Sequence, residues 1–235
     1  MPEQAIHDPS EPGLNHAAAA EAPAETAAPA RKRPKPGERR VQILQTLAVM
    51  LEAPRGDKIT TAALAARLDV SEAALYRHFA SKAQMFEGLI EFIEQSIFGL
   101  INQITAREEM GARQAQVIVH MLMGFAEKNP GMTRVLTGDA LVNEDERLQE
   151  RINQLVDRIE ASLKQSLRIA ASQGAFQGTL QVPGLAAGSA EGLDPALRAN
   201  LLISHALGRW QRYARSGFRK LPTGGLDPQL RLLLS

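Results

Sequence analysis

The sequence of 235 residues contains no cysteine, which excludes disulfide bonds, thiolate ligands and cysteine nucleophiles. The absence of disulfides is typical of proteins in a reducing cytoplasm. No apolar run approaches the ~18 residues of a membrane-spanning helix, and the acidic N-terminus lacks the basic-then-apolar pattern of a signal peptide. We therefore expect a cytoplasmic protein with no membrane partner.

The chain also lacks the usual sequence signatures of an enzyme. Neither a glycine-rich phosphate loop nor a Ser-His-Asp order stands out. His78 has no ligand partner nearby in the sequence, and His120 and His205 lie inside apolar segments, where a core or interface role is the default. The acids at 144–146 stand at a predicted helix start, where the helix dipole stabilises them. We expect no catalytic residue, no metal site and no cofactor.

Charge is distributed unevenly along a chain whose formal net charge is only +1. Residues 1–30 contain acidic side chains but no lysine or arginine, and their Ala- and Pro-rich composition predicts a disordered tail over 1–36. The segment 31–40 is instead basic, with Arg31, Lys32, Arg33, Lys35, Arg39 and Arg40 against Glu38 alone. This segment favours a phosphate-binding arm, with 31–36 as its tail portion; the alternative is a tail that only aids solubility.

Hydrophobic periodicity predicts an all-α fold, since apolar residues recur at helical spacing and no stretch alternates like a strand. Pro54 should stop the first ordered helix, and residues 173–194 resemble a flexible insertion because they are rich in Gly, Ala and Ser. Later helices are predicted at about 82–107, 112–128, 132–136, 145–172 and 195–216, with one further turn at 230–234. Ser81 should cap the helix at 82–107, and Leu100 falls on the apolar stripe of that helix.

The segment 60–79, TTAALAARLDVSEAALYRHF, is typical of a helix-turn-helix. Thr60 or Thr61 should cap the first helix and Ser71 the second, with Asp69 in the turn, where Asp tolerates a left-handed backbone. Leu75 and Phe79 are predicted to be core. The candidate DNA contacts are Thr60, Thr61, Ser71, Glu72, Ala74, Tyr76, Arg77, His78 and Lys82. Arg can pair with guanine, and hydroxyl groups can bond phosphate; the alternative is an ordinary solvated helix surface.

This arrangement resembles the TetR family of bacterial transcription regulators, most clearly over residues 38–97. Within that family the chain is similar to the nucleoid occlusion factors. Four runs contain this likeness: VSEAALYRHF with SK at 70–82, LIEFIE at 89–94, NPGMTRVLTGDAL at 129–141 and RLQERINQL at 147–155. The resemblance implies a DNA-binding domain at 37–97, a helical dimerisation domain at 98–235, and a homodimer on pseudo-palindromic DNA. It also implies that the protein blocks assembly of the tubulin-like division protein FtsZ over the nucleoid.

A candidate partner groove combines helical pattern with resemblance. Phe92 lies off the core stripe of its predicted helix, and in the next helix one outward face holds Val117, Met121, Gly124 and Lys128, followed by Asn129. The resemblance implies that this groove binds the C-terminal tail of FtsZ. The alternative is that Phe92 and Met121 pack on the DNA-binding domain or on each other.

The two long C-terminal helices have apolar stripes that predict a four-helix dimer interface. Its candidate residues are Leu155, Ile159, Leu163, Leu201 and Trp210. The alternative is that both stripes pack within one chain. A different functional class, a ligand-responsive repressor, would need a C-terminal cavity, which Gln165, Ser166 or His205 could line.

Deleting residues 31–36 tests the basic arm. The deletion removes four basic side chains and should lower the slope of log affinity for DNA against log salt by up to roughly 3–4 units, because each neutralised phosphate releases condensed counterions. Fluorescence anisotropy across a salt series measures that slope, and an unchanged slope and affinity would contradict the arm hypothesis.

Overall fold

The computed structural model describes residues 37–53, 59–175 and 194–234, and every regular element in these ranges is a helix, which confirms the all-α prediction. In chain order the helices are α1 (Glu38–Met50), α2 (Thr61–Arg67), α3 (Glu72–Tyr76), α4 (Lys82–Arg107), α5 (Gly111–Lys128), α6 (Pro130–Leu136), α7 (Glu146–Ser172), α8 (Pro195–Arg215) and α9 (Leu226–Leu234).

The predicted tail 1–36, including the arm 31–36, lies outside the described residues, as does most of the predicted insertion at 173–194. All the described residues belong to one compact unit. The domain boundary expected after residue 97 falls inside α4, which continues unbroken from Lys82 to Arg107. One helix therefore connects the helix-turn-helix to the C-terminal helices.

Hydroxyl side chains begin three successive helices. Thr60 Oγ1 accepts a hydrogen bond from the backbone N–H of Ala63 at 3.1 Å, before α2. Ser71 Oγ accepts from Ala74 N–H at 3.3 Å, and Ser81 Oγ accepts from Gln84 N–H at 3.1 Å. Each bond satisfies a donor that has no partner inside its own helix. The sequence-based assignments of these three capping residues are therefore confirmed.

A continuous core supports the N-terminal helices. Ile43 and Leu47 from α1 and Leu64 from α2 are buried together with Leu75 and Phe79, as predicted for the last two. The first half of α4 covers this core with side chains that are also buried, namely Met85, Phe86, Leu89 and Ile90. The helix-turn-helix is therefore held in place by a core that it shares with α1 and α4.

In the C-terminal half, α5 begins almost in backbone contact with α7. A Cβ atom added to Gly111 would lie 2.2 Å from the carbonyl oxygen of Ser166 and 2.3 Å from the backbone nitrogen of Ala170. No real side chain fits such a gap. Glycine at this position is therefore required by the close approach of the two helices.

Helix α6 joins the two halves of the unit. A Cβ atom on Gly131 would lie 1.9 Å from the carbonyl oxygen of Ala48, so α6 packs directly on the α1 backbone. Arg134 donates a hydrogen bond to the carbonyl of Ala53 at 2.6 Å, and its guanidinium lies 5.0 Å from the ring centre of Phe218, just after α8. The start of the fold and the end of α8 are thus held to the same short helix.

The structure corrects four of the five predicted dimer residues. Leu155, Ile159 and Leu163 on α7 and Trp210 on α8 are 0% exposed within a single chain. Their apolar stripes pack against helices of their own chain, chiefly where α7 meets α5 and α8, so these side chains have no surface to offer a second copy. Leu201 differs, because it is 45% exposed.

Two helix details also differ from expectation. Leu100, placed by periodicity on the core stripe of α4, is exposed, because in the second half of α4 the buried strip narrows to Ile97 and Ile101. The C-terminal helix α9 contains nine residues rather than one turn. Pro228 lies in its first turn, where a helix tolerates proline, so the helix begins earlier and buries Leu226 as well as Leu230.

Candidate functional site

The helix-turn-helix forms as expected between α2 and α3. Asp69 adopts a left-handed backbone with φ of 54°, which turns the chain after α2. The backbone N–H of Val70 then donates to the carbonyl of Ala65 at 3.1 Å and closes the turn. The Asp69 prediction is confirmed, because aspartate is among the few residue types that adopt this conformation at modest cost.

Two predicted DNA contacts bond to each other across the turn. The hydroxyl of Thr61 donates to a carboxylate oxygen of Glu72 at 2.5 Å, so the first residue of α2 is tied to the first residue of α3. A carboxylate would be repelled by DNA phosphates, and here it fixes the relation between the two helices instead. The sequence shows both residues but not that they meet.

The outer side of α3 presents the remaining candidates to solvent. Ser71, Arg77 and His78 are exposed, Ala74 is half-buried, and Tyr76 is 46% exposed although it is a large aromatic residue. Arg77 ends α3 as its C-cap residue. A short surface with one arginine, one tyrosine, one histidine and a small alanine can hydrogen-bond phosphates and contact base edges.

The basic segment before α1 is described only from residue 37 onward. Arg31, Lys32, Arg33 and Lys35 lie outside the described residues, so their phosphate contacts remain predictions. Arg39 donates to the Gln42 side chain of its own helix at 2.8 Å. Arg40 instead contacts the residues that follow α3. We refer to α3 with its flanking residues, 71–79, as the recognition segment. Arg40 donates to the carbonyl of His78 at 2.9 Å and lies 4.1 Å from the ring centre of Phe79.

Lys82, a predicted phosphate contact, is paired within the chain. Its ammonium group forms an ion pair with Glu144, in the connection between α6 and α7, and both side chains are partly covered. The ammonium also lies 5.7 Å from the ring centre of Phe86. Lys82 therefore ties the start of α4 to the C-terminal half. Its phosphate contact stays a prediction.

The candidate partner groove lies where α4 and α5 run side by side. Phe92 is 40% exposed on α4. On α5, Val117 and Met121 are half-buried and Lys128 is exposed. A Cβ atom added to Gly124 would have no heavy atom within 4 Å among those compared, so this position is open. None of these five residues is buried, and their role in partner binding stays a prediction.

Asn129 closes the α5 end of this surface. Its side-chain amide donates to the carbonyl of Phe125 at 2.7 Å, and its own carbonyl accepts from the backbone N–H of Thr133 at 2.9 Å. The asparagine thus ends α5 and begins α6 at the same point. One donor of its side-chain amide is therefore already in use, and its contact with a partner stays a prediction.

Phe98 is a useful comparison for Phe92, because both lie off the core stripe of α4. The guanidinium of Arg158 on α7 lies 4.0 Å from the ring centre of Phe98 and covers it. Arg151 on α7 also pairs with Glu94 on α4 at 2.8 Å, and this hydrogen bond raises the pKa of the Arg151 guanidinium. The α4 surface near α7 is therefore occupied, whereas Phe92 remains 40% exposed.

A cleft of about 410 Å³ lies between α8 and α9 and is lined by Ser204, His205, Gly208, Arg209, Arg212, Gln229, Leu232 and Leu233. Burial, and secondarily the charge of Arg209, lowers the pKa of His205. Ser166 is instead buried beneath Gly111, and Gln165 is exposed elsewhere on α7, so neither residue lines this cleft.

Within residues 37–53, 59–175 and 194–234, no three His, Asp or Glu side chains come together as a possible metal site. A membrane-spanning helix is likewise absent from the described part of the chain.

Comparisons with known proteins agree with this architecture. Residues 50–89 match the model for bacterial regulatory proteins of the tetR family, and residues 112–235 match the SlmA-like model, a tetracyclin repressor-like C-terminal domain. A TetR transcription regulator from Haloarcula marismortui superposes with a TM-score of 0.67 at 13% identity, covering 84% of this chain and 96% of that one. A TetR-family regulator from Agrobacterium tumefaciens gives a TM-score of 0.67 at 15% identity, covering 85% and 100%.

Sequence relatives are more specific than these structures. The nucleoid occlusion factor SlmA of Alteromonas mediterranea is 48% identical over 195 residues, which cover 83% of this chain and 93% of the relative. SlmA of Shewanella sp. strain MR-4 is 49% identical over 195 residues, covering 83% and 92%. The chain therefore belongs to the TetR family of bacterial regulatory proteins and, within it, to the SlmA nucleoid occlusion factors.

Proposed function

We propose that this nucleoid occlusion factor binds pseudo-palindromic chromosomal sites as a homodimer and, when bound, prevents FtsZ from assembling over the nucleoid. Division would thereby be coupled to chromosome segregation. The main support is that the chain has two separate groups of exposed residues, one on α3 and one on α4 and α5. The inner faces of these same helices are buried.

DNA binding would use the exposed side of α3 in the major groove. Arg77 is the residue best suited to base contact, since its guanidinium can make two parallel hydrogen bonds to guanine. Tyr76 and Ser71 are suited to phosphate. The Thr61–Glu72 hydrogen bond and the Ser71 cap hold α3 at a fixed angle to α2, so these side chains need little reorganisation on binding.

Replacing Arg77 with alanine should weaken specific DNA binding by roughly 1–3 kcal/mol, the usual cost of losing a bidentate base contact. Arg168→Ala is the matched control, because Arg168 is exposed on α7, far along the chain from the helix-turn-helix, and its loss changes net charge equally. Anisotropy titrations of both variants measure the effect. Equal affinities of the two variants would exclude a base-reading role for Arg77.

Partner binding would use the groove formed by Phe92, Val117, Met121, Gly124 and Lys128, with Asn129 at its end. The open position at Gly124 leaves room for a bound chain. The exposed ring of Phe92 offers apolar area, and Lys128 offers a positive charge near the end of α5. Such a surface suits a partly apolar, acidic peptide that becomes ordered on binding, as proposed for the FtsZ tail.

Phe92→Ala and Lys128→Asp should each abolish measurable binding of a fluorescent FtsZ tail peptide while DNA affinity stays unchanged, because neither side chain belongs to the helix-turn-helix. The matched controls are Phe98→Ala, a ring on the same helix covered by Arg158, and Lys164→Asp on α7. Anisotropy of the labelled peptide is the measurement. Affinity like that of the wild type in both groove variants would place the partner site elsewhere.

Homodimer contacts would use the outer face of α8 rather than its buried stripe. Leu197 is 56% exposed and Leu201 is 45% exposed, and Ser204 and Gly208 continue the same helical face. A Cβ atom on Gly208 would meet nothing within 4 Å, so another backbone could approach closely there. Ser204 and Gly208 also line the α8–α9 cleft, and we assign the cleft to a second copy rather than to a small molecule.

The double variant Leu197→Asp with Leu201→Asp should yield a folded monomer, since both side chains are exposed and the new charges would be buried on association. Light scattering gives the mass, and circular dichroism confirms helicity. Leu155→Asp is the contrasting variant: it places a carboxylate in the core and should unfold the chain. A double variant that remains dimeric would move the interface away from this face.

Co-sedimentation with FtsZ polymers, with and without DNA, tests the proposed function as a whole. The wild-type chain should pellet with the polymers or reduce their amount, and the Phe92→Ala variant should do neither. A chain that has no effect on FtsZ under either condition would contradict the proposal.

A further inference from the structure

Among the residues that the structure describes, Arg40 makes two contacts outside its own helix, and both are with the recognition segment. Its Nη1 donates to the carbonyl of His78 at 2.9 Å, and its guanidinium carbon lies 4.1 Å from the ring centre of Phe79. The two residues follow α3 directly, 38 and 39 positions away from Arg40 in the chain. The neighbouring Arg39 bonds only within α1 among the contacts described, to Gln42.

The base of Arg40 is firmly placed. Ile43, almost one turn further along α1, is fully buried, and so is the Phe79 ring beneath the guanidinium. Arg40 therefore extends from a helix fixed in the core to a backbone carbonyl at the end of the segment that contacts DNA. Its guanidinium lies over the Phe79 ring and donates to the carbonyl of His78, so it restrains both the position and the orientation of these two residues.

We infer that Arg40 is a positioning residue for DNA recognition: it holds the chain after α3 so that Arg77 and His78 face the DNA. This inference rests on the proposed DNA binding. It departs from the sequence-based expectation, in which Arg40 was one of several equivalent phosphate contacts of a basic arm. Arg40 acts through the His78 carbonyl and the Phe79 ring, whereas a phosphate contact acts through charge alone.

Lysine separates the two roles. It retains the positive charge, so it would replace arginine at a simple phosphate contact. It lacks the planar guanidinium, which can lie over an aromatic ring while its N–H groups donate in the guanidinium plane, so it cannot reproduce both contacts of Arg40. The test therefore compares Arg40→Lys and Arg40→Ala with Arg39→Ala, which removes the adjacent charge and leaves the recognition segment untouched.

Binding is measured on two duplexes of equal length and composition: one selected from a random pool by the wild-type chain, and one with that sequence scrambled. We expect Arg40→Lys and Arg40→Ala to reduce the ratio of selected to scrambled affinity about tenfold, and Arg39→Ala to leave that ratio unchanged. Arg40→Lys should also keep the wild-type salt slope on scrambled DNA, because it keeps the charge.

Hydrogen exchange without DNA supplies the structural readout. Backbone amides of residues 74–79 should exchange faster in both Arg40 variants than in wild type or in Arg39→Ala. Ile43→Val controls for a general loss of stability, since it removes one methylene from the buried α1 core and retains the Arg40 side chain with both of its contacts. When each variant is measured at the same interval below its own melting temperature, Ile43→Val should leave the exchange rates of residues 74–79 and the affinity ratio unaltered.

Two outcomes would overturn the inference. One is an Arg40→Lys variant with the wild-type affinity ratio together with an Arg40→Ala variant whose salt slope falls by about 0.9, which is the signature of a phosphate contact. The other is an Ile43→Val variant that reproduces both Arg40 effects. Failure of the proposed function is distinguishable, because the wild-type chain would then select no duplex from the pool.

Discussion

The apolar side of α4 is the constraint on which both proposed surfaces depend. Its first half buries Phe86 and Ile90 beneath the helix-turn-helix, and its middle buries Ile93 and Ile97 at 0% exposure. Because this face is fully used, α4 cannot rotate without exposing several large side chains, each worth about 1.5–3 kcal/mol of burial. The opposite face is thereby fixed outward, and with it Phe92.

Ion pairs around α4 serve orientation more than stability. Lys82 pairs with Glu144, and Arg151 pairs with Glu94, in both cases with the basic side chain about one-third exposed. Pairs with this much access to water contribute roughly 0–1 kcal/mol each. The close backbone approach of Gly131 to Ala48 is a stronger restraint, because any side chain there would force α6 away from α1. Sterics set the distance between the elements, and charges select among the remaining orientations.

Local chemistry in the sequence predicted the helix-turn-helix well. The caps at Thr60, Ser71 and Ser81 depend on neighbours within three residues, and the φ of Asp69 depends on the residue itself. Periodicity likewise located the long helices and placed Phe92 off the core. These features could be predicted because each is decided within a turn or two of the chain.

What the sequence could not provide is which surface covers each apolar stripe. Leu155 and Leu201 have the same side chain at similar helical positions, yet one is buried inside the protomer and the other is 45% exposed. The exposed face of α8 that contains Leu201 continues with Ser204 and Gly208. A prediction based on apolar positions alone does not include these small residues. Contacts between residues far apart in the chain could not be predicted either, because they depend on how the helices pack. Nothing in the sequence near Arg40 indicates His78, and nothing near Lys82 indicates Glu144.

Helix α5 contributes most residues of the proposed partner groove and also packs on α8, which has the proposed dimer face. His120 lies 2.9 Å from Asp227 of α9, and Glu127 accepts hydrogen bonds from Tyr213 at 3.1 Å and Thr223 at 2.5 Å. The α8–α9 connection is thus attached to α5. Both helices of the proposed groove are anchored in the folded chain, α4 by α1 and α7 and α5 by α7 and α8. The conformational entropy cost of binding would then fall mainly on the flexible peptide, because the two helices have little freedom left to lose.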